Sequence, residues 1–154
     1  MLREIRIQEA DFDVAVEWRQ LGKSLGGEAG AIVAFCGRVR DVHAESAVHG
    51  LFLEHYAGLT ERSLDAILDR VERRWRLDAI TVIHRVGRLD PGAQIVLVLV
   101  AGRHRSEAFA ACELVMDYLK TDAIFWKKEL GERDRWVEPT SDDQRRRRKW
   151  DDEA

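Results

Sequence analysis

Two apolar runs, residues 79–86 (AITVIHRV) and 93–101 (AQIVLVLVA), are linked across Leu89-Asp90-Pro91-Gly92. This pair constrains the chain more than any other feature. The runs are strand-length and rich in β-branched residues, and the Asp-Pro-Gly link has the chemistry of a tight turn. Two such strands need apolar cover, so the remaining elements must supply helices or a second sheet to pack on them.

The rest of the chain offers that cover. Residues 4–8 alternate and predict a short strand. Asp11 is the expected N-cap of a helix carrying Val14, Trp18 and Leu21. Residues 22–30 are glycine-rich but lack the GxxxxGK[ST] order of a phosphate loop, and read as a plain connection. Residues 31–36 (AIVAFC) predict a buried strand running into Gly37-Arg38-Val39-Arg40-Asp41 and a polar loop over 42–47. Residues 48–56 predict another strand. Thr60 then caps a helix with Leu64, Ile67, Leu68, Val71 and Trp75 at helical spacing. A further helix, after Arg103-His104-Arg105-Ser106, places Ala108, Phe109, Cys112, Val115, Met116 and Leu119 on one face. The final third is polar, with an apolar mark at Trp136-Val137. The expected fold is α+β, a mostly antiparallel sheet with packed helices. One domain is expected over residues 1–140, followed by a flexible charged tail over 141–154.

Composition narrows the function classes. A length of 154 residues suits one core, and a net charge of −3 argues against a general nucleic-acid binder. The arginine-rich block 145–149 does not reverse this. Its five basic residues sit among five acidic ones between Asp142 and Glu153, so the block neutralises itself. Cys36 and Cys112 form no CxxC, and both read as buried structural thiols. The histidines at 43, 49, 55, 84 and 104 lack HxxxH or HExxH spacing, so no metal is assigned. The charged start is unlike a signal peptide, and the longest apolar run, 95–101, is too short for a bilayer. The expectation is a cytoplasmic protein with no membrane or nucleic-acid partner.

Three cationic clusters remain. Lys120 closes an apolar helix, and Lys127 and Lys128 follow the aromatic pair Phe125-Trp126. Apolar and cationic neighbours can turn a lysine into a usable base or nucleophile, although the helix dipole alone also favours a lysine at that end. Arg38 and Arg40 leave the end of a strand, where they either enter a cleft or stand solvated. Arg103, His104 and Arg105 precede a helix start. That is either an anion site, for phosphate or carboxylate, or a surface turn.

Taken in order, the segments GAIVAFCGRVRD, LEHYAGLTE, VIHRVGRLDPGAQIVLVLV, HRSEAF and MDYLKTDAIFWKKE, with Trp136-Val137-Glu138, resemble the large, catalytic subunit of molybdopterin synthase. The likeness spans about residues 30–138. It implies an α/β hammerhead type of fold and a sulfurtransferase of molybdenum cofactor biosynthesis. Such enzymes convert cyclic pyranopterin monophosphate to molybdopterin by installing two sulfurs as a dithiolene. The sulfur arrives on the C-terminal Gly-Gly thiocarboxylate of a small ubiquitin-like subunit, so neither a cofactor nor a cysteine is required here. It also implies a homodimer at the core of a heterotetramer. By motif, the essential lysine falls on Lys120 and the second lysine on Lys127. Substrate-binding residues fall on Arg40, with Arg38 beside it, on His104 and Arg105, and on Lys128 and Glu129. Two positions depart from the pattern. Some members carry an arginine where Thr140 stands, and Cys36 lies outside the catalytic motif. The alternative function is a non-catalytic module that binds a ubiquitin-like tail.

Overall fold

A computed structural model describes residues 1–40 and 49–151, together with the backbone of Val42–His43 and Ser46–Ala47. In chain order the elements are β1 (Leu2–Gln8), α1 (Val14–Ser24), β2 (Ala31–Arg38), β3 (Val42–His43), β4 (Ser46–Ala47), β5 (Gly50–His55), α2 (Leu59–Arg74), β6 (Leu77–Arg85), β7 (Gly87–Leu89), β8 (Gln94–Gly102), α3 (Arg105–Thr121), β9 (Phe125–Leu130), β10 (Arg135–Val137) and α4 (Ser141–Arg148). One sheet has the order β1-β6-β8-β2 and another β10-β9-β5-β7, while β3 and β4 pair with each other. Among the described residues only the β1–β6 pairing is parallel, and the other pairings are antiparallel. The expected α+β class with a mostly antiparallel sheet is therefore what forms.

The near-continuous apolar runs of β6 and β8 have a direct cause, since both faces of this pair are covered. Ile80, Val82, Val96, Val98 and Val100 pack against Leu64, Ile67, Leu68 and Val71 of α2 and Ala108, Ala111, Leu114 and Val115 of α3. On the opposite face, Ala79, Ile83, Leu97, Leu99 and Ala101 meet Phe12 and Leu21. The link between the two strands is more than a turn. β7 leaves the first sheet and pairs with β5 in the second, and the chain reverses only at Gly92, whose φ of 82° favours glycine. Val39, Leu51, Leu53, Val86 and Leu89 form a third apolar cluster where the sheets meet.

Several expectations change on contact with the structure. The N-cap of α1 is Asp13, whose Oδ1 accepts from Ala15 and Val16 N–H; Asp11 instead accepts from Phe12 N–H and from Gln94. Gly58, not Thr60, precedes α2, because Thr60 is fully buried and bonded across the fold. The strand read as buried, β2, is a sheet edge with Ala34, Phe35 and Cys36 exposed. Cys36 is thus exposed, while Cys112 is buried as expected. Phe109, placed on the core face of α3, is 62 % exposed. The polar loop expected at 42–47 and the first two residues of the strand expected from Val48 lie largely outside the described residues, apart from the β3–β4 ladder and exposed His49.

The segment expected as a flexible charged tail carries a helix and a buried tryptophan. Ser141–Arg148 is helical, and Trp150 is 5 % exposed, its indole N–H donating to Asp117 Oδ2 at 2.7 Å. Among the described residues, four of the block's five cations form ion pairs. Arg145 and Arg146 meet Asp142, Arg147 meets Asp122 and Asp151, and Lys149 meets Glu113. Trp150, the one apolar residue among the described residues of that stretch, supplies the anchor.

Candidate functional site

The site is built where α3 ends and β9 begins. The connecting backbone is pinned by the first turn of α2: Thr60 Oγ1 donates to Ile124 C=O at 2.8 Å, and Ile124 N–H donates to Ser63 Oγ at 3.2 Å. Lys120 stands exposed in the last turn of α3. Register then sorts the β9 side chains. Lys127 and Glu129 lie opposite Leu53 and Leu51, which are core residues, so they share the core-facing side of the sheet. Lys128 lies opposite Phe52 and Trp136 on the outer side, its ammonium 5.4 Å from the Trp136 ring and 3.6 Å from Asp134.

That sorting decides which cation is perturbed. The Lys127 ammonium is held below the usual lysine range, chiefly by burial and then by the charge of Lys120, with Arg40 acting the same way. Glu129 and Asp143 oppose the shift. The structure therefore brings Lys120, Lys127, Arg40 and Glu129 into one electrostatic group. Lys128 faces away from it. Arg38 is tied elsewhere, its Nε donating to Gly92 C=O at 2.9 Å.

His104 and Arg105 are not part of that group within one chain. They sit at the opposite end of α3 from Lys120, fifteen to sixteen helical steps or about 23–24 Å away. There they line an open depression of about 520 Å³ with Gly30, Arg103, Ser106 and Phe109. Gly30 is required at this place, since a Cβ would lie 2.5 Å from Arg103 C=O. The His104 side chain makes no cap bond to α3.

Two residues near the lysines went unread in the sequence. His84 of β6 stacks on Phe125 with ring centroids 4.0 Å apart, and its Nδ1–H donates to Arg85 C=O at 2.8 Å. Burial pushes its pKa down to about 4, and Lys127 adds to the effect, so the ring is neutral at pH 7. Only its place in an otherwise apolar strand hinted at this. Asp143 stands in the first turn of α4; the signal was Thr140-x-x-Asp143, a capping-box spacing. Among the described residues, no group of three or more His, Cys, Asp or Glu side chains converges as metal ligands.

The fold and site define an α+β domain with a paired-lysine cationic centre at a helix end, suited to anionic reactants. The MoaE protein family profile matches residues 7–122, and the chain belongs to that family. The molybdopterin synthase catalytic subunit of Vibrio cholerae is 48% identical over 98% of this chain and 100% of its own length. The Molybdopterin biosynthesis MoaE protein from Burkholderia ambifaria superposes with a TM-score of 0.82 at 43% identity, covering 97% of this chain and 99% of that one. Molybdopterin Synthase from Staphylococcus aureus gives 0.77 at 27% identity, covering 87% and 95%.

Proposed function

We propose that this chain is the catalytic subunit of a molybdopterin synthase, a sulfurtransferase. It converts cyclic pyranopterin monophosphate to molybdopterin with two sulfurs taken from the thiocarboxylated C-terminus of a small ubiquitin-like partner. The observation that carries this reading is that the charges of exposed Lys120 and Arg40 bear on half-buried Lys127 in a MoaE-family chain. A thiocarboxylate and a pterin phosphate are both anions and repel each other. A fixed cationic site offsets that repulsion and stabilises charge as sulfur attacks. Lys120, the more open of the two lysines, is the acid/base group or the group that holds the tetrahedral species formed on attack. Lys127, partly desolvated, holds the pterin and the partner's terminus.

His104 and Arg105 enter this scheme from a second copy. No single chain brings them to Lys120, while the exposed edge of β2, with Phe35 40 % exposed, and Phe109 on α3 form apolar surface that a second copy would cover. A homodimer with one small subunit at each end is the assembly this implies. No helix among the described residues is long and apolar enough to cross a membrane; we assign the work to the cytoplasm.

The reading is tested by reconstitution with the thiocarboxylated partner and cyclic pyranopterin monophosphate, following the dithiolene product. Product is expected. A folded chain that binds the partner and yields no product would support the binding module instead.

A further inference from the structure

Helix α2 segregates its charges. Asp69 and Glu72 turn to Arg3 of β1, whereas Arg70, Arg73 and Arg74 line a depression of about 740 Å³ together with residues of α3 and of the segment after α4. Residues three and four apart share a helix face, so the three guanidinium groups are neighbours, and like charges so placed repel each other. The helix dipole favours Arg73 and Arg74, which stand in the last turn, but Arg70 stands before it.

Two of these arginines are held in place by aromatic rings. Arg70 lies over Tyr118, 4.9 Å from the ring centroid, and its Nη1 donates to the Tyr118 hydroxyl at 3.1 Å. Arg74 lies 5.5 Å from both the Trp75 and the Trp150 ring, and its Nη1 donates to Trp150 C=O at 2.9 Å. Tyr118 and Trp150 are themselves buried, so they form a fixed floor beneath the charges. Among the described residues no carboxylate pairs with Arg70 or with exposed Arg73. Asp151 also lines the depression, 3.5 Å from the Tyr118 hydroxyl, but it pairs with Arg147. Three arginines against one carboxylate leave two positive charges in excess, on a chain whose net charge is −3.

We propose that this depression is a second anion site, taking a small molecule with a diphosphate group held by the guanidinium groups of Arg70 and Arg73, with Arg74 beside them. Planar guanidinium forks match phosphoryl oxygens bidentately. An arginine already fixed on a ring loses little freedom when it binds. The excess of two charges favours a multiply charged phosphoryl group over a single carboxylate, and the volume admits a small molecule. None of the lining residues belongs to the Lys120–Lys127 group or to the depression around His104 and Arg105. The site is therefore separate from the one assigned to sulfur transfer and does not depend on that reading.

The test titrates the full-length chain with inorganic diphosphate in wild type, Arg73→Gln and Lys120→Ala, following the Nε–H signals of Arg70 and Arg73 by NMR. Those signals separate this site from any anion held by the lysines. Arg73 is exposed and glutamine keeps the helix propensity, so Arg73→Gln removes the charge without disturbing the fold. The expected result is a saturable shift of both signals in wild type. The Arg70 curve should show binding at least about tenfold weaker in Arg73→Gln, and both curves should stay close to wild type in Lys120→Ala. Absence of a saturable shift in wild type overturns the proposal, as does an Arg70 curve unchanged in Arg73→Gln. Loss of the shifts in Lys120→Ala overturns it too, since the anion would then sit at the lysines.

Discussion

Lys127 is where burial and like charge meet, and the outcome is set by which side of β9 it occupies. One residue along, Lys128 has a carboxylate and an indole as neighbours and stays on the outer face. Both lysines were legible in FWKK, but only the register with β5 separates them. His84 was not legible, because a histidine inside an apolar run gives no sign of its ring partner or of its buried state. Its consequence is a stability effect of definite sign. The folded-state pKa of about 4 lies below the ordinary 6.5, so between those values the unfolded chain binds the extra proton. Stability is full above about pH 6.5 and falls as pH drops toward 4, by up to about 3 kcal/mol from this group. His84→Phe should flatten that part of the curve in denaturant unfolding at a series of pH values. An equally steep acid loss in the variant would assign the effect to other groups.

Helix α4 shows what charge pattern hides at the scale of an element. The run of arginines reads as solvated, and each arginine is individually weak as a surface ion pair. What orders the segment is Trp150, seated edge-on to Trp75 at 6.0 Å and bonded to Asp117. Trp150→Ala should cost about 3–5 kcal/mol of stability or release α4 from α3, read by denaturation and by protease sensitivity around residue 141. Wild-type stability in that variant would show that the arginine pairs carry the docking. The α3–β9 corner makes a parallel case. Thr60 looked like a helix cap, yet its hydroxyl bonds Ile124 C=O from a fully buried position. Thr60→Val should destabilise by about 1–3 kcal/mol and lower turnover with it, because the corner sets the spacing of Lys120 and Lys127. The two long central strands were readable because both their faces are apolar. β2 was misread because its apolar edge looks the same in sequence whether it is covered by this chain or left open.

For the whole molecule, α3 is the organising rod. It carries Lys120 at one end and the His104–Arg105 pair at the other, about 23–24 Å apart. Sequence could identify both clusters but not their separation, since the helix that joins them also keeps them apart. If a second copy supplies the missing pair, Lys120→Ala and Arg105→Ala chains, each defective alone, should recover about a quarter of wild-type activity when copies exchange at random. No recovery from demonstrably mixed dimers would rule out that a second copy supplies this pair.

The central claim is that the lysine pair performs the sulfur transfer on a chain that otherwise only binds. It is tested most directly by single-turnover dithiolene formation with wild type and Lys120→Ala, each saturated with the thiocarboxylated partner, and with partner affinity measured alongside. The account predicts near-equal partner binding and a rate lowered by at least about two powers of ten in the variant. A variant that binds the partner and forms product at the wild-type rate would contradict it.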